Sequence, residues 1–262
     1  MRFALNGLAE VISFPGTAQR SGVRPEAPPV RLQLNPALDC GALAKDFQKR
    51  GRLHIQSVLD APSADHLYQC LGGETRYSLC VNLGGVARAL VDLSPQERQA
   101  CTIAAWREVG TTGFQFLFDM HRLSLNGEPY TDATHHWARV VAFLNGPEFL
   151  DFARSVTGLD TIAFADAQAT CYRPGHFLTA HDDDTAGTNR LVAYVFSFTP
   201  VWRPEWGGLL EFLDSASQVE AGYLPGFNSL KLFKVPKAHY VSAVAPFALA
   251  PRYSITGWLR AR

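Results

Sequence analysis

The chain has 262 residues, 47% of them apolar and 18% charged, with 24 basic residues balancing 24 acidic ones to a formal net charge of zero. That composition is globular, neither disordered nor fibrous, and the length suffices to bury a substantial core. Zero net charge removes the simplest case for a nucleic-acid or anionic-membrane partner, and no apolar run reaches the ~18 to 20 residues that a spanning helix needs.

The longest apolar run, residues 191–202, is broken by Ser197, Thr199 and Pro200. Asn6 and Glu10 interrupt the N-terminal stretch, which makes a poor secretory leader. Cys40, Cys70, Cys80, Cys101 and Cys171 are odd in number and scattered without a Cys-x-x-Cys pair. They read as reduced thiols of a cytoplasmic protein, neither a disulfide framework nor a zinc ribbon.

Taken in chain order, Pro15, Pro25, Pro28 and Pro29 mark residues 1–35 as an extended arm, and the folded body is expected from Pro36 to the end as one domain. Leu38, Leu43 and Phe47 recur with helical spacing over 36–49, and Gly51 stops that helix. A strand is expected over 53–59, and a helix over 63–71 with Ser63 as its cap. Ser94, Pro95 and Glu97 spell a capping box for a helix over 94–109, closed by Gly110. A strand over 114–125 follows, then helices over 134–144 and 147–157, the second closed by Gly158.

Beyond Gly158 the pattern changes to short alternating runs at 162–172, 177–181, 191–199, 209–213, 229–235, 240–244 and 253–259, separated by Gly, Pro, Asn and Asp. Seven or eight short strands at that density indicate a β-sandwich or barrel. Residues 36–160 then form a helical support region packed on one face of a β core at 161–262, an α+β unit.

The richest segment is Tyr172-Arg-Pro-Gly-His-Phe-Leu-Thr-Ala-His181-Asp-Asp183-Asp. Residues two apart in a strand share a side, so His181 and Asp183 offer one imidazole and one carboxylate to a single point. His239, at the start of a later strand, can return as a third ligand on the neighbouring strand. Two histidines and one carboxylate on one face of a metal leave its other positions open, the arrangement of non-heme Fe(II) oxygenases. A His-x-Asp triplet alone recurs by chance and reads more readily as a solvated acidic turn than as a site, and Asp184 is the local rival to Asp183.

The C-terminal run Arg252-Tyr-Ser254-Ile-Thr256-Gly-Trp258 shifts that balance. Alternation puts Arg252, Ser254, Thr256 and Trp258 on one face, and a buried guanidinium needs an anion to grip. Among the remaining histidines, the adjacent pair His135-His136 would diverge by about 100° on a helix and is set aside as a site. His54, His66 and His121 show no partners, and His176 reads as a turn residue after Pro174-Gly175.

His181-x-Asp183, His239 and Arg252-x-Ser254 together resemble the Fe(II)/2-oxoglutarate-dependent dioxygenases. Within them, Tyr172-x-Pro-Gly, Phe198-Thr-Pro-x-Trp202, Trp206-Gly-Gly-x-Leu and Arg252-x-Ser-Ile-Thr-Gly-Trp look like the prolyl 4-hydroxylase branch, nearest to ribosomal prolyl hydroxylases and their bacterial counterparts. The resemblance covers residues 113–262, and more weakly the chain from Pro36.

It implies a double-stranded β-helix of the jelly-roll or cupin-like kind, with His181, Asp183 and His239 on Fe(II). Arg252, assisted by Tyr172 and Ser254 and flanked by Thr256, would hold the distal carboxylate of 2-oxoglutarate, with O2 as the second cosubstrate and ascorbate as a supporting reductant. Arg190 and Trp258 would meet the substrate. The position of Ser197 often holds a cosubstrate-contacting Tyr in prolyl hydroxylases, so a roomier pocket is expected here.

The implied activity is hydroxylation of a prolyl residue in a protein, ribosomal proteins included, with 2-oxoglutarate converted to succinate and CO2; neither DNA nor a membrane is an expected partner. Two alternatives stand beside it: the same cofactors acting on a free amino acid or small metabolite, and a catalytically silent β-helix used for binding.

Overall fold

The computed structural model describes residues 11–12, 31–111, 113–131 and 135–262. The arm expected over 1–35 lies largely outside the described residues. Its last stretch is extended but packed: Leu32 is buried, the Gln33 amide donates to Ser63 Oγ, and Leu34 bridges to Leu59.

Among the described residues, five α-helices follow the capping signals. Helix α1 spans Cys40–Arg50, beginning later than the periodicity suggests because Asp39, not Pro36, accepts the first-turn amide of Ala42; Gly51 closes it in the left-handed conformation. Helix α2, Ala61–Gln69, is capped by Asp60, so the expected cap Ser63 is an interior residue, and the helix runs on into a π-helical turn over Cys70–Glu74. Helix α3, Pro95–Glu108, has the complete Ser94–Glu97 capping box. Helices α4, His136–Leu144, and α5, Pro147–Thr157, complete the set.

The principal strands are β1 (Arg52–Gln56), β2 (Ser78–Leu83), β3 (Val86–Leu90), β4 (Phe116–Arg122), β5 (Gln168–Tyr172), β6 (Phe177–His181), β7 (Arg190–Phe198), β8 (Leu210–Leu213), β9 (Val219–Tyr223), β10 (Phe227–Lys234), β11 (His239–Val241) and β12 (Arg252–Arg260). They form one curled antiparallel path, β9-β8-β11-β6-β4-β5-β12-β7-β10-β1. The β2–β3 hairpin joins through β4, and the backbone of Val11–Ile12 adds to β3 in parallel. The region expected to be helical support therefore also supplies β1 to β4. The hairpin and β9 have no counterpart in the sequence reading.

Alternation divides the side chains. On β7, Tyr194 and Phe196 face outward while Ala193 and Val195 face inward; on β10, Leu230 and Leu232 face outward and Phe233 inward. The outward set packs on α1, α2, α4 and α5 through Phe47, Leu67, Trp137 and Phe149, all nearly or fully buried, each contributing roughly 1.5–3 kcal/mol. Helix α3 covers β2 and β4 through Ala105, Leu79 and Leu117. The inward set lines a narrow interior between β5, β12, β7 and β10 on one side and β6, β11 and β8 on the other.

Two glycines explain parts of the motif pattern. Gly207 has φ +64°, and a Cβ there would lie 2.1 Å from the Ala243 carbonyl, so the Trp206-Gly-Gly turn brings β8 beside β11. A Cβ on Gly257 would lie 1.8 Å from the Asp166 carbonyl, which is why β12 carries a glycine between Thr256 and Trp258.

Candidate active site

Strand β6 ends at His181, β11 begins at His239, and the two are direct cross-strand partners with ring centroids 4.2 Å apart. Each Nδ1 meets the carbonyl of the residue two positions earlier, His181 on Thr179 at 3.0 Å and His239 on Lys237 at 2.7 Å. A carbonyl only accepts, so both Nδ1 atoms carry the proton and both Nε2 lone pairs face the interior.

Asp183 completes the group. Its Oδ1 is 3.5 Å from His181 Nε2 and its Oδ2 is 3.5 Å from His239 Nε2, and the three donor atoms lie within 4.8 Å of one another. These separations are too long for hydrogen bonds and fit three ligands around one cation.

Asp183 arrives by a different route from the one strand alternation suggests. The strand has already ended, Asp183 sits at φ +64°, and Asp182 accepts the Asp184 amide at 3.0 Å to turn the chain. Asp182 is exposed, and Asp184 is not part of the three-residue cluster. A left-handed aspartate is tolerated better than most residues but still carries strain, a frequent mark of functional sites.

Burial would raise the Asp183 carboxyl; His239 and then His181 outweigh it and hold it well below the usual carboxylate range. Burial, reinforced by His181, pulls His239 down to about 4, so its ring is neutral near pH 7 and able to ligate. Two imidazoles and one carboxylate on one side of a point, with the interior open opposite, suit Fe(II) with free positions for a chelating cosubstrate and O2.

Across the interior, Arg252 on β12 pairs with Tyr172 on β5, and its guanidinium carbon lies 5.0 Å from the Tyr172 ring centroid. Arg252 is 4% exposed, enters no ion pair among the described residues, and its Nε has no hydrogen-bond partner among them. Ser254 Oγ is buried and likewise without a partner among them. Thr256 Oγ1 accepts from Gln168 at 3.3 Å. A buried cation beside an unsatisfied hydroxyl fits a ligand carboxylate reaching over from the histidine side.

One residue of this cradle escapes the sequence reading. Lys231 on β10 is 2% exposed, and its Nζ donates to Ser197 Oγ and Ser229 Oγ, both at 2.9 Å. Burial first, and the Arg252 charge second, bring it down to about 7. The roomier pocket expected from Ser197 is thus occupied by an ammonium group. The available signal was Lys231 sharing a strand face with Phe233, which shows that this face is not solvated.

At the outer end, the Arg190 guanidinium stacks 3.6 Å over Trp258 and donates to the Asp183 carbonyl and Thr185 Oγ1, both at 3.2 Å. The interior around the histidines, Asp183 and Arg252 meets a larger cavity of about 410 Å³ at Phe118, Gln168 and Trp258, which line both. Tyr130, Arg122 and Arg190 also border that outer cavity.

Residues 167–260 match the 2OG-Fe(II) oxygenase superfamily. Mouse prolyl 3-hydroxylase OGFOD1 is 29% identical over 118 residues, 42% of this chain and 21% of the mouse protein, so the match spans about a fifth of that relative. A Pseudomonas putida prolyl-4-hydroxylase superposes with TM-score 0.53 at 16% identity, covering 86% of this chain and 100% of the other. A Burkholderia pseudomallei oxidoreductase of the 2OG-Fe(II) oxygenase family gives 0.59 at 12% identity, over 86% and 92%. A Trichoplax adhaerens prolyl hydroxylase, solved with a hypoxia inducible factor peptide fragment, gives 0.53 at 16% identity, over 85% and 89%. The fold is the double-stranded β-helix, and among the described residues no helix is long and apolar enough to cross a membrane.

Proposed function

We propose that the chain is a 2OG-Fe(II) oxygenase of the prolyl hydroxylase type and that it hydroxylates a prolyl residue of a protein substrate. The observation that carries this reading is the convergence of His181, Asp183 and His239 opposite two buried cations with no carboxylate partner among the described residues. Bound between them, Fe(II), 2-oxoglutarate and O2 supply the oxidation, in which 2-oxoglutarate yields succinate and CO2 and one oxygen atom enters a C–H bond.

The chain's own groups do the positioning. His181 and His239 present Nε2 because the Thr179 and Lys237 carbonyls hold their Nδ1 protons. Asp183 offers the single negative ligand. Arg252 and Lys231 grip the distal carboxylate, with Ser254 as an added donor and Tyr172 and Thr256 as walls. Phe118, Leu178, Ala193 and Val195 keep water away from the reacting centre. Arg190 and Trp258 frame the entrance, and the outer cavity beyond them gives a polypeptide room to present a side chain.

Relatives described as prolyl hydroxylases, one of them solved with a peptide, support a peptide or protein substrate, and ribosomal proteins are the first to try. Ascorbate is a fitting supporting reductant, and the five unpaired cysteines agree with a cytoplasmic setting.

The test incubates the protein with Fe(II), 2-oxoglutarate and ascorbate, and with ribosomal proteins, proline-containing peptides or free proline. Mass spectrometry is expected to locate one added oxygen on a proline within a polypeptide. Oxygen gained only by free proline or another metabolite would overturn the reading.

A further inference from the structure

A second group of metal-ligating side chains lies outside the oxygenase pocket, where the π-helical turn after α2 meets the start of α4. His66 and Cys70 are one helical turn apart, and the wider π turn brings Glu74 around behind them. His136 faces this stripe from the first position of α4. The divergence of His135 and His136 expected for a helix does not occur, because His135 is the extended N-cap residue and its ring lies 4.2 Å from that of His136.

The donor atoms of Cys70, Glu74 and His136 lie within 4.8 Å of one another. His136 Nδ1 is 3.3 Å from Glu74 Oε2, and His66 Nε2 is 3.7 Å from Cys70 Sγ. Metal–ligand distances of about 2.3 Å for sulfur and about 2.0–2.1 Å for nitrogen or oxygen give tetrahedral edges of about 3.6 Å (S to N) and about 3.3 Å (N to O). Both separations fall on those edges. We propose that Cys70, Glu74 and His136 form a second metal site of the zinc type, which His66, beside the thiol but outside the three-residue group, completes as fourth donor by turning its ring.

The chemistry selects the class of ion. A thiolate with imidazoles and a single carboxylate suits zinc or cobalt, whereas magnesium and calcium take oxygen shells. Burial brings His136 down to about 4, and it also lowers His66, so both rings are neutral and available. Burial raises the Cys70 thiol to about 12, and a bound cation would displace that proton and bind the thiolate. Glu74 keeps a 61% exposed side chain, which leaves the ion a route in. Filled, the site would tie the π turn to the start of α4.

Cobalt titration of the metal-free full chain tests this, because a thiolate on Co(II) gives a near-ultraviolet charge-transfer band that the cysteine-free His181–Asp183–His239 group cannot. The band is expected to saturate within two equivalents in the native chain, where the His181–Asp183–His239 group also takes cobalt, to persist in Asp183→Asn, to vanish in Cys70→Ser and to need at least about tenfold more cobalt in His136→Ala. No band, or a band that survives Cys70→Ser, would overturn the site. Should Cys70→Ser fail to fold, the exposed Glu74→Gln decides: weaker cobalt binding supports the site and unchanged binding refutes it.

Discussion

His181 and His239 stand directly opposite each other on adjacent antiparallel strands, so the pairing of β6 with β11 itself sets the separation of two proposed metal ligands. A carbonyl two residues upstream fixes the tautomer in both cases. The third ligand depends on a turn: Asp183 reaches the same point only at φ +64°, with its carbonyl held by Arg190.

Arg190→Ala should therefore loosen the turn without touching a ligand. Iron affinity is expected to fall by roughly 10- to 100-fold, the range typical of lost supporting contacts, with little change in the 2-oxoglutarate concentration needed once iron saturates. Iron titration of wild type and variant checks this, and equal affinities would show that Asp183 holds its place unaided.

Arg252→Ala removes the charged, fully desolvated grip proposed for the distal carboxylate. The loss of about 1.5–3 kcal/mol corresponds to a KM for 2-oxoglutarate higher by roughly 10- to 150-fold, with kcat much less affected. Steady-state kinetics over 2-oxoglutarate, with Arg252→Lys as the partial rescue, provides the readout.

Lys231 makes the same cradle sensitive to pH. Its folded-state value of about 7 means that a bound carboxylate must draw a proton onto the amine above that pH. Affinity for 2-oxoglutarate is expected to fall between about pH 7 and 9, by up to about tenfold per unit, and Lys231→Met should flatten the profile. Of the groups facing it, Arg252 remains cationic, His54 on β1 is held at about 4 and remains neutral, and Arg52 is paired with Glu220; β7 presents only Val195 and Ser197. Stability runs the other way. Between about 7 and 10.5 the unfolded chain holds a proton that the folded chain has released, so stability rises with pH there and the full penalty applies below 7. Lys231→Met should raise Tm by a few degrees at pH 6, and by much less at pH 10, while weakening cosubstrate binding. Calorimetry at both pH values reads the two effects.

Much of this site was legible before any coordinates. Helix α3 announced itself through Ser94, Pro95 and Glu97, and β12 through the alternation that puts Arg252, Ser254, Thr256 and Trp258 on one face, because caps and strand faces are local properties. The β2–β3 hairpin was missed although Gly84-Gly85 marks its turn and Leu79, Val81 and Leu83 form an apolar face, since Arg88 breaks the outer face of the short β3 between Val86 and Leu90. Lys231 was missed because a lysine in an alternating strand reads as the solvated side until its neighbours in space are known. His66, Cys70, Glu74 and His136 come together only through a π turn and a long-range helix contact, neither of which has a local signature.

The central claim is tested most directly by succinate release from 2-oxoglutarate in the presence of Fe(II), comparing the native chain with Asp183→Asn, which keeps the side-chain shape and the left-handed turn but removes the charge. The account predicts turnover in the first and a rate at least about a hundredfold lower in a folded variant of unchanged Tm. Turnover near the native rate in that variant would contradict it.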